Sequence, residues 1–455
     1  MDQSTLMLVS ASASRVLGEY DHSFSIRSSD EFAIIYGPNG VGKTKFLEIV
    51  DALSRLQGFT LSNLPFASAV LTYSDASELS VVRDSVEDEG LDAIAAPASS
   101  VRFTLKRPRQ KIISWNYTDD DFAEVIRKHL PYEQVSDLMW QDPSDGEIVH
   151  VDDLRARYEL RNTKRTQKRG VAPQSIQDFV KLVPSFLIET QRLRIEQMRP
   201  KPGTTRFGSN RTSTRSQSRI TEQAEKIRAL VNGAQTEHSR ITQRLDRTFP
   251  NRMLRATSNR LQADIDPDLI RERYDAQNDF RSRLGRVASV SLDDELSLPD
   301  GDIEGWALRL LNLYLDDADE KLEPFEALLK KIELLEHIIN DRLLNKELRV
   351  TDGEGLSVEH SLTGRPITLD SLSSGEQHVI ILMIDLLFNV PRGAVVLIDE
   401  PEISLHVAWQ MAFIPDVKRI AELAGFRFVV ATHSPQIING DWDRAIRLGP
   451  HEVAF

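Results

Sequence analysis

The sequence predicts an α/β protein: a phosphate-binding sheet shared by an N-terminal and a C-terminal lobe, with a helical, coiled-coil arm inserted between them. Three observations carry this. An apolar strand pattern at 32–36 runs straight into a glycine-lysine loop. Two further apolar runs, at 395–398 and 428–431, end in acids and in a histidine. Between them lies a long stretch whose apolar residues alternate at spacings of four and three. The expected division is 1–195 for the N-terminal lobe, 196–344 for the arm with a basic segment at its start, and 345–455 for the C-terminal lobe.

Composition bounds the possibilities. A chain of 455 residues, 40% hydrophobic and 27% charged, has the makeup of a soluble globular protein with a large core. Its formal net charge of −13 excludes a molecule that binds nucleic acid through overall positive charge. The absence of cysteine excludes disulfides and zinc-thiolate sites and fits a reducing cytoplasm, which is the expected location. The opening MDQSTLMLVSASASRV lacks a basic region and a long apolar core, so no signal peptide is expected. No apolar run approaches the ~20 residues of a membrane helix, so no membrane partner is expected.

The first element is FAIIYGPNGVGKT, 32–44. Phe32 to Tyr36 reads as a buried strand. Gly37, Pro38, Asn39, Gly40, Val41, Gly42, Lys43 and Thr44 then match G-x-x-x-x-G-K-[ST]. Glycines let the backbone wrap a phosphate with its N–H groups pointing inward. Lys43 is placed to reach the β- and γ-phosphates, and the Thr44 hydroxyl to ligate Mg²⁺. KFLEIVDALSRL follows as an amphipathic helix, whose N-terminus adds positive potential.

AVVLIDEPEISLH, 394–406, carries a second strand, Val395 to Ile398, that delivers Asp399 and Glu400 at its C-terminal end. Open α/β sheets bind ligands at that end. Asp399 is expected to hold Mg²⁺ through a water, and Glu400 to act as general base on the attacking water. FRFVVATHSPQII, 426–438, supplies a third strand that ends in Thr432 and His433. A histidine there can donate to a γ-phosphate. In PSFLIETQRL, 184–193, Gln191 follows another strand end and is a candidate contact for Mg²⁺ or the lytic water. SLSSGEQ, 371–377, reads as a phosphate-binding helix start without a lysine or a metal ligand of its own.

In this order, these segments resemble the ATP-binding-cassette (ABC) ATPases, whose signature loop is similar to LSSGEQ. The resemblance implies ATP and Mg²⁺ as ligands. It implies a head-to-tail homodimer in which Ser373, Ser374, Gly375 and Glu376 of one protomer close on the nucleotide held by the other's loop, with ATP as glue. The long gap from Thr44 to Leu372 resembles the Rad50, RecF, SMC and OLD branch rather than transporters. Glu402 and His406 in DEPEISLH resemble OLD-like ATPases. TLDSLSSGEQH, LIDEPEISLHVAWQ and ATHSPQII together look most like the stand-alone ATPases of anti-phage systems of the PARIS type, with Septu next. The likeness covers the first sixty residues and the part after about 345, and covers the middle poorly.

The middle has its own pattern. Ile220, Ala224, Ile227, Val231, Ala234, His238, Ile241 and Leu245 form a coiled-coil seam with His238 in a polar slot. That helix is expected to end before Pro250. Leu322, Phe325, Leu329, Ile332, Leu335 and Ile339 mark the apolar face of a second helix within 303–344. The two make opposite legs of the arm. Without cysteine, the arm cannot end in a zinc hook. RARYELRNTKRTQKRG, 155–170, and the arginine-rich stretch between Gln191 and Ile220 read either as surfaces for nucleic acid or an acidic partner, or as solvated linkers. SDASELSVVRDSVEDEGLDAIAA, 74–96, reads as an acidic surface excursion.

No TOPRIM domain follows His433 before Phe455, and no other nuclease cluster is visible, so this chain is expected to hydrolyse ATP and cut nothing. What the resemblance implies is a sensor and scaffold, assembled beyond the dimer into a higher homo-oligomer, that holds a separate toxic effector of the TOPRIM nuclease type. It releases the effector on meeting a phage-encoded trigger protein. The alternative is a RecF- or Rad50-like repair ATPase that binds duplex DNA with a steep salt dependence. A transporter motor is disfavoured by the long insertion.

Overall fold

The computed structural model describes residues 6–27, 30–83, 100–118, 126, 130–136, 139–143, 146–151, 154, 172–189, 219–258, 266–288, 298 and 303–449. The chain divides into two compact units, Met1–Glu196 with Asn389–Phe455, and Gln197–Phe388.

The first unit holds the glycine-lysine loop. Strand β3 (Phe32–Tyr36) is buried over four of its five residues and continues through the loop into helix α1 (Lys43–Ser54). Beside it stand β11 (Ser185–Glu189), β15 (Val395–Asp399), β16 (Arg427–Thr432) and β17 (Ala445–Arg447), in the order β11-β15-β16-β3-β17. Every pairing in this sheet is parallel. Four of the five strands are the apolar runs read from the sequence. The fifth, β17, is a three-residue strand with no apolar run to announce it.

A second sheet has the order β2-β1-β4-β5-β6-β7 and is antiparallel throughout. Its strands are β1 (Leu8–Val16), β2 (Tyr20–Ser25), β4 (Ser68–Tyr73), β5 (Glu78–Arg83), β6 (Ser100–Lys106) and β7 (Ile113–Thr118). Alternation drives it: β4, β5 and β6 bury every second side chain, the signature of a sheet with one face on a core. Its inner face meets α1 through one cluster that includes Phe24, Phe46, Leu71, Val81 and Phe103, together with Val395 and Val429 of the parallel sheet. The expectation of an acidic excursion at 74–96 is corrected here. Glu78–Arg83 is an interior strand, with Leu79 and Val81 in the core and the buried Arg83 guanidinium donating to the carbonyls of Phe66 and Ser62. The remainder of that stretch, 84–99, lies outside the described residues. Short helices α2 (Gly58–Asn63) and α3 (Gln174–Val180) and a small sheet of β8 (Glu133–Gln134), β9 (Met139–Gln141) and β10 (Ile148–His150) complete this part. Helix α8 (Val407–Ala424) connects β15 to β16, and the four-residue α9 (Pro435–Ile438) follows β16.

The second unit is helical. Helix α4 (Arg219–Ser258) and helix α6 (Gly305–Asn340) pack along each other, with α5 (Pro267–Val287) against α6. Ile220, Ala224, Ile227, Val231, Ile241 and Leu245 are buried, as the seam requires. Half-buried His238 fills the polar slot, its Nδ1 2.7 Å from the carbonyl of Lys321 and its ring against Phe325. All six apolar-face residues read for the second helix are buried.

The expected stop before Pro250 is corrected: α4 runs through the proline for 40 residues, ~60 Å. Proline removes one backbone donor, but side-chain bonds within the helix and to its neighbour hold the chain here. Arg252 donates through Nη2 to the carbonyl of Leu245 at 3.0 Å and forks onto the buried Asp317 carboxylate of α6. The ion pairs Arg244–Glu320 and Lys321–Asp246 extend the same zipper. Helix α5 has no continuous apolar face in its sequence, because its buried face includes a glutamine. Gln277 donates to the carbonyl of Leu315 and to Asp319 of α6.

At the base of the helices lies a small sheet of β12 (Lys346–Thr351), β13 (Gly355–His360) and β14 (Pro366–Ile367). Helix α7 (Ser374–Ile384) follows and is buried continuously from His378 on. Among the described residues no helix is long and apolar enough to cross a membrane.

The β12–β13 turn packs on α4 so closely that a Cβ on Gly355, at φ +78°, would lie 1.9 Å from the carbonyl oxygen of Ala224. Gly355→Ala is therefore expected to cost about 2–4 kcal/mol. Chemical denaturation followed by helical circular dichroism will read this as an earlier transition.

Candidate active site

The loop between β3 and α1 takes its shape from three glycines. A side chain at Gly37 would meet the carbonyl oxygen of Leu448 at 2.4 Å, while Gly40 and Gly42 sit at φ +86° and +90°. Pro38, Asn39 and Gly40 are exposed and Val41 is buried. Gly42 is the N-cap of α1, and Lys43 is its first residue.

Lys43 is nearly fully buried. Its ammonium donates to the carbonyls of Gly37 at 3.0 Å and Pro38 at 3.2 Å. It also lies 2.7 Å from Nε2 of His433. Burial pulls it below the usual lysine range, and the charges of Glu400, Asp399 and Glu402 oppose that. Thr44 donates its hydroxyl hydrogen to Oδ2 of Asp399 at 2.8 Å. Burial pushes the Asp399 carboxyl up to about 6, with the Thr44 bond working against the shift and the neighbouring Glu400 adding to it.

Glu400 follows in a left-handed conformation, φ 46° and ψ 57°. That costs energy for a residue with a Cβ and marks a constrained position. Its Oε1 is 2.8 Å from Nε2 of His433. One ring nitrogen thus stands between the Lys43 ammonium and the Glu400 carboxylate. It can accept from the first or donate to the second, but not both at once.

Glu402, noted in the sequence without a role, organises the wall of the site. Its Oε1 accepts from the Thr432 hydroxyl at 2.7 Å, the His433 amide at 2.6 Å and the Ser434 amide at 3.2 Å. Gln410 of α8 ties the same region together, donating to the carbonyl of Leu405 and accepting from the Ser434 hydroxyl. His406 caps α8 through its ring nitrogen. The signal was the second acid of Glu-Pro-Glu, whose reach across to the next strand end no linear pattern states.

The structure thus gathers Gly37 to Thr44, Asp399, Glu400 and His433 in one place. Gln191 lies outside the described residues, as do 155–170 and 192–218. Ser373 to Glu376 belong to the helical unit. There Ser373 caps α7 in a reciprocal box: its hydroxyl accepts from the Glu376 amide at 3.3 Å, and its amide donates to the Glu376 carboxylate at 2.8 Å. Lys346 pairs with that carboxylate at 2.8 Å, and Gln377 donates to the carbonyls of Leu369 and Leu372. Ser373 and Ser374 are exposed.

These residues fit a nucleoside triphosphate with Mg²⁺. Glycines bring backbone close to a ligand, a buried lysine supplies positive charge, and Thr44 and Asp399 offer adjacent hard oxygens. A parallel sheet with this loop after one interior strand and paired acids at the end of the strand two places away, together with an antiparallel sheet, has the fold of an ABC-type AAA ATPase. The chain belongs to the family described as "AAA domain, putative AbiEii toxin, Type IV TA system", whose match spans residues 149–439 and so contains Asp399, Glu400, His433 and Ser373 to Glu376. Among solved structures it is similar to the SMC head domain with an extended coiled coil bound to the C-terminal domain of ScpA, from Pyrococcus furiosus. That pair shares 12% identity over 97% of this chain and 93% of the other, with a TM-score of 0.37. It is also similar to the SMC head domain from Thermotoga maritima, at 13% identity over 98% of this chain and 100% of that one, with a TM-score of 0.33.

The Asp399 shift makes a stability prediction. A carboxyl raised from 3.8 to about 6 in the fold stabilises when protonated. That contribution is present below pH 4 and lost as pH rises through 6. Asp399→Asn is therefore expected to stabilise the fold at pH 7.5, without nucleotide or metal, by an amount on the order of 1–3 kcal/mol, read as a higher thermal midpoint. The gain should shrink at pH 4.

Proposed function

We propose that this chain hydrolyses ATP as a switch that assembles its own protomers and holds a separate toxic effector in a bacterial anti-phage system. The observation that supports catalysis is the bridge Lys43–His433–Glu400, with ring nitrogen Nε2 2.7 Å from the ammonium and 2.8 Å from the carboxylate. In this reading Lys43 turns from the loop carbonyls to the β- and γ-phosphates of the substrate. Glu400 takes a proton from water as the water oxygen bonds to the γ-phosphorus and the β–γ bridging bond breaks, leaving ADP and phosphate. Mg²⁺, held through Thr44 and Asp399, neutralises the phosphate charge when bound. His433 reports the γ-phosphate by exchanging its contact to Lys43 or Glu400 for one to phosphate oxygen.

Ser373, Ser374 and the Gly375 amide of one protomer close on the partner's nucleotide as uncharged donors at a helix start. Glu376 serves that loop by locking its cap. Dimers formed this way build a larger homo-oligomer, and the helical arm offers a docking surface for the effector, a TOPRIM-type nuclease. The family's name refers to a toxin and a type IV TA system, which fits control of a toxic activity.

Glu400→Gln is expected to lower kcat by at least about 100-fold while ATP binding is retained. Steady-state turnover with a parallel binding titration checks this, and wild-type turnover in the variant would remove Glu400 as the base. For the effector, the chain is isolated natively with ATP and Mg²⁺ and its companions identified. A stoichiometric complex with a nuclease-like chain is expected. A bare dimer carrying duplex DNA would move the protein to DNA repair.

A further inference from the structure

Strand β2 reads Tyr-Asp-His-Ser-Phe-Ser and turns His22 and Phe24 inward. His22 is 3% exposed. Its ring lies parallel to Tyr20 at 5.9 Å and tilted against Phe46 of α1 at 5.6 Å. Nε2 sits 2.7 Å from the carbonyl oxygen of Val41, inside the phosphate loop. A carbonyl only accepts, so Nε2 carries the proton. Nδ1 is buried with no hydrogen-bond partner among the described residues. An aromatic hydrocarbon would fill the same space without burying an unpaired nitrogen. Among the described residues, the one polar contact of this ring is with the loop.

We infer that His22 is a positioning residue for nucleotide binding: it fixes the Val41–Gly42 peptide so that the Gly42 amide faces the phosphate. The inference rests on the nucleotide reading of this loop. A trans peptide is planar, and its C=O and N–H point in opposite directions. Holding the Val41 carbonyl against β2 turns the Gly42 N–H away from β2. The near side is already filled, because a Cβ on Gly42 would meet Val16 at 3.0 Å and Leu17 at 3.2 Å. Phosphate can approach only from the far side. Glycine rotates its flanking peptides at little cost, so the orientation needs an external anchor. His22 supplies it from a strand outside the loop.

The test compares His22→Gln with His22→Asn. Glutamine places an amide N–H as far from the backbone as Nε2, whereas asparagine stops at the position of Nδ1. Calorimetric titration with ATP and Mg²⁺ gives Kd, steady-state hydrolysis gives KM and kcat, and thermal melts without nucleotide report folding. H22Q is expected within about threefold of wild type in Kd, and H22N about tenfold weaker, the loss of roughly one well-made hydrogen bond. KM should move with Kd while kcat stays within about threefold of wild type, since the chemistry residues are untouched. Equal affinities for the two variants, or a loss in kcat without a change in KM, would overturn the inference. Unfolding of both variants would assign His22 to the core and also overturn it. If the wild-type protein binds no ATP, it is the nucleotide reading of the loop that fails.

Discussion

The hydrogen bond from Thr44 to Asp399 joins residues 355 positions apart, and the chemistry of the first unit is arranged around it. Each partner stands at the end of an element, Thr44 in the first turn of α1 and Asp399 as the last residue of β15. The two meet because β3 lies next to β16, which in turn pairs with β15. The bond holds a hydroxyl and a carboxylate side by side in a buried place, where each ionised group is costly. Burial raises the Asp399 carboxyl and lowers the Lys43 ammonium, while their opposite charges limit both shifts. Such a site is stable only while its charges stay matched, which makes it responsive to a highly charged ligand.

Three acids within four residues end up in three environments. Asp399 meets a hydroxyl, Glu400 faces a histidine ring, and one oxygen of Glu402 accepts from one hydroxyl and two amides. The sorting comes from backbone geometry. The left-handed turn at Glu400 sends consecutive side chains in different directions, and the 3-10 turn Pro401–Ser404 carries Glu402 across to the end of β16. Identical side-chain chemistry thereby acquires different work from its surroundings.

Much of this was legible in the sequence, for a local reason. Buried strands of a parallel sheet are continuous apolar runs, and the residues that follow them land at one edge of the sheet. Lys43, Thr44, Asp399, Glu400 and His433 could therefore be grouped without a structure. What stayed hidden depends on contacts between distant segments. Strand β17 is three residues long and exists because Tyr36 and its neighbours offer an edge. Helix α5 hides its seam behind Gln277, whose polar end finds a carbonyl on α6. Helix α4 passes Pro250 because Arg252 and Asp317 hold it from the side. In each case a tertiary partner overrides the local rule.

The order of strands in the parallel sheet has a temporal consequence. Strand β3 is made early, yet both of its neighbours, β16 and β17, are made last. Strands β11 and β15 are adjacent in space, and the whole helical unit is the crossover that connects them. While the ribosome is still working through the arm, this apolar strand has two open edges. An emerging chain of this kind is exposed to mispairing for tens of seconds at ordinary synthesis rates. A ribosome that stalls within the arm releases a product with a phosphate loop but no acids beside it, unable to complete the chemistry.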